Sequence, residues 1–523
     1  MAKEREKERE KKMFIGFAGK CANELKIFLI CLLLLGAVAT LLQFLPSRFS
    51  LSPSDIRHCL VSKNTLQFDD RLPVVAMAPS PLLQPPEVST PSPPAPPPPL
   101  LPSPPPPPSL EKDQTIHDGI IKRSFNPFGA AAYNFILMSA YRGGVNSFAI
   151  VGLASKPLLV FGKPTYQCEW FPALNPSKPV TAASYKILPD WGYGRVYTVV
   201  VLNCTFPEPV GADGSGGKLV LHASTGGGGD RNFNLTDTFE ALVETPGSVD
   251  ASLFTSPPKY DYLYCGSSLY GNLSPQRMRE WIAYHVRLFG EKSHFVIHDA
   301  GGIHREVLEV LKPWMEMGYV TLQDITEQER FDGYYHNQFL VVNDCLHRYK
   351  FAAKWMFFFD VDEYIYIPGK NTLKSVLNSL SDYTQFTIEQ IPMSSQLCLS
   401  ADAGQSFRKW GMEKLVYKDV KKGIRRDRKY AVQPRNLYAT GVHMSQNLAG
   451  KTNHKTDRLI KYFHYHGTIA QRREPCRFFL NATRSTMHDG VPYILDTTMR
   501  GVAASVKRFE LKLIGTRLQR TRQ

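Results

Sequence analysis

The sequence predicts a mostly parallel α/β domain, preceded by an all-β sandwich module and, at the N-terminus, a transmembrane helix. Three observations predict it. One long apolar run lies near the start, a middle region carries short strand-like segments between glycine-rich turns, and a later region alternates strand and helix patterns. The chain has 523 residues and a formal net charge of +15, enough for more than one domain. Such charge suits nucleic acid, anionic lipid, nucleotide phosphates or an acidic polymer, and the N-terminus narrows that choice.

Residues 1–26 begin "MAKEREKEREKK" and read as a cytosolic tail. Residues 27–45, "IFLICLLLLGAVATLLQFL", carry no formal charge. At 1.5 Å per residue they cover roughly 28 Å, about one hydrocarbon core. A cleaved signal peptide has a shorter apolar region and a small-residue cleavage site. Lys and Arg crowd the residues before the span and are sparse just after it. The positive-inside rule therefore predicts a type II signal anchor with residues 46–523 in a lumen, which leaves no role for nucleic acid.

Residues 46–114 include "PSPPAPPPPLLPSPPPPPSL". Proline at this density favours an extended polyproline II stalk, about 3.1 Å per residue. Sequons begin at Asn203, Asn234, Asn272 and Asn481, all after the span, as expected for glycosylation of a lumenal body. Six of the nine cysteines, Cys168, Cys204, Cys265, Cys345, Cys398 and Cys476, lie in the later body. An even lumenal count permits disulfides, and no C-x-x-C or zinc spacing appears.

Residues 115–255 hold "NFILMSAY", "SFAIVGLA", "RVYTVVVLNCTF" and "KLVLHAS", separated by turns such as "GADGSGG". That pattern predicts the β sandwich. Gly226–Gly229 lack the Gly-Lys-Ser/Thr ending of a phosphate loop and read as a turn. Trp170, Phe171, Trp191, Tyr193 and Tyr197 either line a sugar-binding surface or pack in a core.

Residues 256–500 change rhythm. "YDYLYCG" reads as a strand, and Ser274-Pro275 starts a helix that runs to Gly290. "HFVIHD" is a strand ending at Asp299, "IHREVLEVLKPWMEMG" a helix, and "YVTLQ" a strand. "HNQFLVVNDCLHRYKFAAK" is a helix, and "WMFFFD" the next strand. This alternation implies right-handed βαβ units, whose ligands bind at the carboxyl ends of the strands. Asp299 and Asp360 sit at such ends. Residues 501–523 read as a basic C-terminal tail.

"KWMFFFDVDEYIYI" places Asp360, Asp362 and Glu363 where a core strand empties. Unpaired buried carboxylates are costly, so they are either salt-bridged to nearby lysines or neutralised by a divalent cation. Residues i and i+2 leave a strand end on one side, so both aspartates can address one ion. Mg²⁺ and Mn²⁺ accept oxygen donors and keep positions open for phosphates.

"FFFDVDEYIYI", with "SPQRMREWIAYHVRLFG", "FVIHDAGG" and "HNQFLVVNDCLHRYKFAAKW" before it and "KYFHYHGTI" after it, resembles glycosyltransferase family 92. The resemblance implies a GT-A (Rossmann-like) fold, a UDP-sugar donor, Mn²⁺ or another divalent cation, and inversion at the anomeric carbon. Within the family the likeness is to plant Golgi enzymes that extend the β-1,4-galactan side chains of pectin (rhamnogalacturonan I) from UDP-galactose. It implies Asp362 as direct metal ligand, Asp360 reaching the ribose or the metal through water, and His464 as the remaining ligand. This chain has His466 where the family more often has arginine, which leaves either histidine open as that ligand. Asp299 would meet the uridine and Gln338 would line the donor site.

Inverting transfer needs a base for the acceptor hydroxyl. Glu413 in "KWGMEKLV" resembles the family's carboxylate element, with Glu389 in "FTIEQIP" as its rival; either is otherwise a salt-bridge partner of nearby cations. The basic run Lys418–Lys429 either attracts an anionic acceptor or the donor diphosphate, or is a solvated loop. A homodimer is compatible with this arrangement. Two other readings stand beside transfer: a non-catalytic carbohydrate-binding scaffold in a Golgi complex, and glycoside hydrolysis by paired carboxylates.

Overall fold

A computed structural model describes residues 110–129, 134–155, 165–189, 196–224, 236–331, 335–423 and 426–521. The expected tail, transmembrane span and nearly all of the stalk lie outside the described residues. So do Asn234, Trp191, Tyr193 and the glycine run at 226–229.

The chain enters through β1 (Gln114–Thr115) and β2 (Ile121–Lys122), and β2 pairs with a strand two hundred residues later. The module expected from 115 therefore begins only after these strands. It consists of β3 (Asn126–Phe128), β4 (Phe135–Arg142), β5 (Ser147–Ser155), β6 (Tyr166–Pro172), β7 (Val180–Ile187), β8 (Tyr197–Thr205), β9 (Gly217–Ser224) and β10 (Thr236–Glu244). They form one antiparallel sheet in the order β10-β9-β6-β7-β8-β5-β4-β3. The first half of β7 pairs with β6 and its second half with β8, so the sheet folds over at β7. Alternate residues, among them Phe135, Phe148, Trp170 and Leu202, fill the space between the two halves. The Cys168–Cys204 disulfide ties β6 to β8, and Phe128 of β3 stacks on Phe239 of β10 at 3.7 Å. Trp170 is completely buried and Tyr197 nearly so; both are packing residues rather than a sugar-facing surface.

The second sheet has eleven strands. Its parallel part runs through β11 (Tyr260–Leu269), β12 (Ser293–Asp299), β13 (Val320–Asp324) and β14 (Ala353–Phe358). Three helices connect them: α1 (Pro275–Phe289), α2 (Arg305–Glu316) and α3 (Gln338–Arg348). Helix α1 begins and ends where its caps demand. The Ser274 hydroxyl accepts from Arg277 N, Pro275 occupies the first turn, and Gly290 takes φ 81° at the C-terminus.

Beyond β14 the sheet continues through β15 (Glu363–Tyr366), β16 (Gln385–Pro392), β17 (Lys429–Val432) and β18 (Lys461–His464), with antiparallel pairs except β16 and β18, which are parallel. The order after β14 is β17-β16-β18-β15. Helices α1 and α2 pack on one face of the parallel strands through Trp281, Ile282, Val307 and Trp314. Helix α3 covers the other face through Val342, Cys345 and Leu346, with the Cys265–Cys345 disulfide joining it to β11. The opposite side of α3, Leu340 and Val341, packs against Ile136, Val151 and Val199 of the β module. One helix is thus shared by two sheets.

Helix α4 (Thr498–Ile514) buries Met499, Ala503 and Val506, and its Glu510 pairs with Arg279 of α1. Residues 501–514, expected in a basic tail, instead form part of the domain, because their apolar residues recur on one helical face.

Candidate active site

The strand entering the site ends at Phe358, two residues before Asp360. Asp360 and Asp362 therefore lie in the turn between β14 and β15, and the turn sends them apart. Asp360 Oδ2 accepts from Lys429 Nζ at 2.7 Å. Burial alone would push the Asp360 carboxyl up, but the Lys429 ammonium holds it below its ordinary range. Asp362 Oδ2 instead accepts from Gly467 N at 2.8 Å, and Oδ1 lies 3.5 Å from His464 Nε2.

Strands β15 and β18 are antiparallel, with Glu363 opposite His464. That register delivers the C-terminal histidines to the aspartate turn. Asp362, His464 and His466 each offer a ligand atom, and these atoms lie within 4.8 Å of one another. The Gln390 side-chain amide meets Nδ1 of His464, leaving Nε2 towards Asp362. One carboxylate oxygen with two imidazole nitrogens suits a divalent transition metal.

Glu363 stands behind this group. Its Oε2 accepts from Asp360 N at 2.7 Å and lies 3.7 Å from Lys429 Nζ. Burial pushes its carboxyl up to about 8 against the opposing pull of Lys429. Burial opposes charge on His464, yet its bond to Asp362 raises the imidazole above its ordinary value. A cleft of about 460 Å³ opens over His464 and His466, lined also by Gln390, Met393, Ser394, Asp419, Arg426 and Asp427.

Asp299 ends β12. Its Oδ1 accepts from the backbone N–H groups of Gly301, Gly302 and Ile303 at 2.8–3.0 Å. Burial raises its carboxyl above the ordinary range. A Cβ at Gly302 would fall 2.7–2.9 Å from the backbone of Leu269 and Tyr270, so only glycine lets this loop lie against the end of β11. Gln338 opens α3, half-buried, directly after Tyr335, His336 and Asn337, all with positive φ of 49–55°. Three successive left-handed residues are strained. Ser268 Oγ donates to the His336 carbonyl at 2.8 Å, and the His336 ring stacks on Tyr270 at 3.9 Å. No motif announced this aromatic pair, because its halves are sixty-six positions apart and meet only through the sheet.

Glu413 and Glu389 are not brought to the histidines. Glu413 sits in the one-turn helix Gly411–Lys414, where Oε2 takes the Lys507 ammonium and the Trp410 N–H. Glu389 pairs with Arg428 at 3.0 Å; its neighbour Gln390 points to His464, and strand alternation turns Glu389 to the other face. Lys429 and Gln390 are the site residues that sequence reading missed. The only linear signal was that Lys429 closes the basic run and opens the strand "KYAV". Asn272 and Asn481 are exposed and Asn203 is half-exposed at the end of β8.

The family model described as glycosyltransferase family 92 matches residues 260–500. The chain is similar, at 56% identity over 100% of both sequences, to galactan β-1,4-galactosyltransferase GALS3 of Arabidopsis thaliana. It is 55% identical to galactan β-1,4-galactosyltransferase GALS1 of the same plant over 76% of this chain and 79% of that one. At 22% identity, over 59% of this chain and 68% of the other, it is also similar to β-1,4-galactosyltransferase galt-1 of Caenorhabditis elegans.

Proposed function

The chain belongs to glycosyltransferase family 92, and from that premise we propose that it is a galactan β-1,4-galactosyltransferase using UDP-galactose, with a GT-A catalytic domain. The observation that carries the reading is the meeting of Asp362, His464 and His466 beside the carboxyl ends of a parallel sheet. The full-length likeness to proteins named for that activity supplies the sugar and linkage. The intact carboxylate–histidine group favours transfer over the scaffold reading.

Asp362, His464 and His466 would hold Mn²⁺, which when bound supplies positive charge for the departing diphosphate. Lys429 keeps Asp360 ionised beside it. The Tyr270–His336 pair offers a flat face for stacking a nucleobase, next to the Asp299 loop and to Gln338. In a single displacement with inversion, the acceptor O4–C1 bond forms as the C1–phosphate oxygen bond breaks. A carboxylate takes the acceptor's proton. We assign that proton to Asp427, which lines the cleft and makes no ion pair among the described residues. Glu413 is the second reading, favoured by its place in the family pattern. Residues 27–45 would anchor the protein in the Golgi membrane as a type II chain, with its sequons lumenal.

The test is galactose transfer from UDP-galactose to a β-1,4-galacto-oligosaccharide by the purified full-length chain. Chelation should abolish transfer and Mn²⁺ restore it. Asp362→Asn should lose Mn²⁺ binding, read by calorimetry, without lowering the melting temperature. Full activity of metal-free protein in excess chelator would sink the metal assignment.

A further inference from the structure

We propose that the cleft over His464 and His466 continues into a cationic subsite, built by Arg473 and Arg477, that takes an anionic group of the substrate. That group is either a carboxylate on an acidic acceptor or the diphosphate of the donor. The proposal rests on the galactosyltransferase reading and assigns a second contact area to the same site.

A smaller recess of about 90 Å³ is lined by Gly467, Thr468 and Gln471 together with the two arginines. It shares Ser395 and Gln396 with the larger cleft, so the two adjoin along that segment. The N–H of Gly467 is the group that donates to Asp362, which puts the recess within one residue of the metal-binding carboxylate. A recess of this size has room for a carboxylate or a phosphate group.

Its charge is uncompensated. No carboxylate lines it, and among the described residues neither guanidinium has an ion pair. Arg473 Nε donates only to Gln471 Oε1, at 2.7 Å. The acid between the two arginines is used elsewhere: Glu474 turns inward to Lys414 Nζ at 2.7 Å. The neighbouring Arg472 is paired with Glu306 at 2.9 Å, which separates its role from that of Arg473.

The wall that carries the arginines is held to the cleft. Arg477 N and Phe478 N both donate to the Gln396 carbonyl, at 2.9 and 3.1 Å. Leu397 pairs with Phe478, and the Cys398–Cys476 disulfide closes the same segment. Guanidinium forks on a held backbone suit planar anionic oxygens.

The experiment compares the full-length wild type with the Arg473→Gln/Arg477→Gln double variant, and with each single variant as a guard against misfolding. Melting temperatures should agree within a few degrees. Transfer is measured to a neutral β-1,4-galacto-oligosaccharide and to the same oligosaccharide bearing one uronate. UDP affinity is measured by calorimetry with Mn²⁺ present. Charge-assisted bonds of this kind are worth about tenfold or more. A loss of that size confined to the acidic acceptor identifies an acceptor carboxylate. An equal loss with both acceptors, together with weaker UDP binding, identifies the diphosphate. Unchanged UDP affinity and unchanged preference between acceptors in folded variants would overturn the proposal. Should the wild type transfer to neither acceptor, the galactosyltransferase reading fails by itself. Calorimetric binding of UDP and of the uronate oligosaccharide then still decides the subsite.

Discussion

Arg277 shows how a buried side chain can shape a site it does not enter. Its Nη1 pairs with Glu280, its Nη2 donates to Thr468 Oγ1 at 2.9 Å, and its guanidinium lies 5.4 Å from the centre of the Tyr465 ring. Tyr465 separates the two histidines, so this cation supports the loop that carries them. Burial opposes the charge, and the Glu280 carboxylate overcomes it. The fit leaves no room nearby: a Cβ at Gly411 would lie 1.4 Å from Arg277 Nη1. Gly411→Ala should therefore cost about 1–3 kcal/mol in denaturant unfolding and weaken Mn²⁺ binding. Unaltered Mn²⁺ affinity in that variant would show that the histidine loop does not depend on Arg277. The base is decided at the same scale. Asp427→Asn should lower kcat about 10²–10⁴-fold with UDP affinity kept, while Glu413→Gln, which loses only its Lys507 and Trp410 partners, should stay within a few-fold of wild type. The reverse pattern would return the role to Glu413.

Helix α3 is where two domains become one at the scale of elements. Asp344, on its buried side, accepts from Arg123 Nη1 and Nη2 at 2.5 and 2.9 Å, and from the hydroxyls of Ser139 and Tyr141 at 2.5 Å each. Arg123 also donates to Gln323 Oε1 at 2.6 Å and to Asp113 Oδ2 at 2.9 Å. The entering segment, β4 of the module and the catalytic sheet thus converge on one carboxylate. Burial alone would favour its neutral form, and Arg123 keeps it ionised far below the ordinary carboxylate range. Asp344→Asn leaves the buried Arg123 with only the partly exposed Asp113 as a carboxylate partner among the described residues. Breaking such a pair typically costs about 3–5 kcal/mol. Denaturant unfolding should show that loss in a single transition, because α3 belongs to both sheets. A module that unfolds separately while the catalytic domain keeps wild-type stability would refute the shared-helix account.

For the whole molecule, three buried neutral histidines outweigh the buried carboxyl of Glu363, whose shift has the opposite sign, in the response to acid. His285, His298 and His347 are held down by burial, to about 3, 4 and 3. His285 explains why: its Nδ1 meets the Trp281 carbonyl at 2.9 Å, while its Nε2 accepts from Ile365 N at 3.3 Å. A second ring proton would face that N–H. The unfolded chain binds protons at these sites below about pH 6.5 and the folded chain does not, so unfolding takes up protons. Their stability is present above pH 6.5 and is lost as pH falls towards 3–4, by about 1.4 kcal/mol per pH unit for each group. The melting temperature should fall steadily between pH 6.5 and 5. A flat profile there would mean that these rings titrate in the folded state.

The sequence by itself determined the local elements and their order. Hydrophobic period, the Ser274-Pro275 start and the Gly290 stop delimit α1, and the alternation from "YDYLYCG" to "WMFFFD" corresponds to β11 through β14, because these signals act over a few residues. The Asp-x-Asp element, the "HYH" histidines and the six body cysteines were equally legible, and the cysteines close as three disulfides. Only tertiary structure decided which of these groups meet. Asp360 and Asp362 would share a side had β14 continued past Phe358; the turn instead gives one to Lys429 and the other to the histidines. Glu413 matched a pattern yet is turned to Lys507, and residues 501–514 pack as α4 because Glu510 has Arg279 to meet. Pairings across many tens of residues leave no periodic trace in the chain, since they depend on strand register and on which side of a helix is buried.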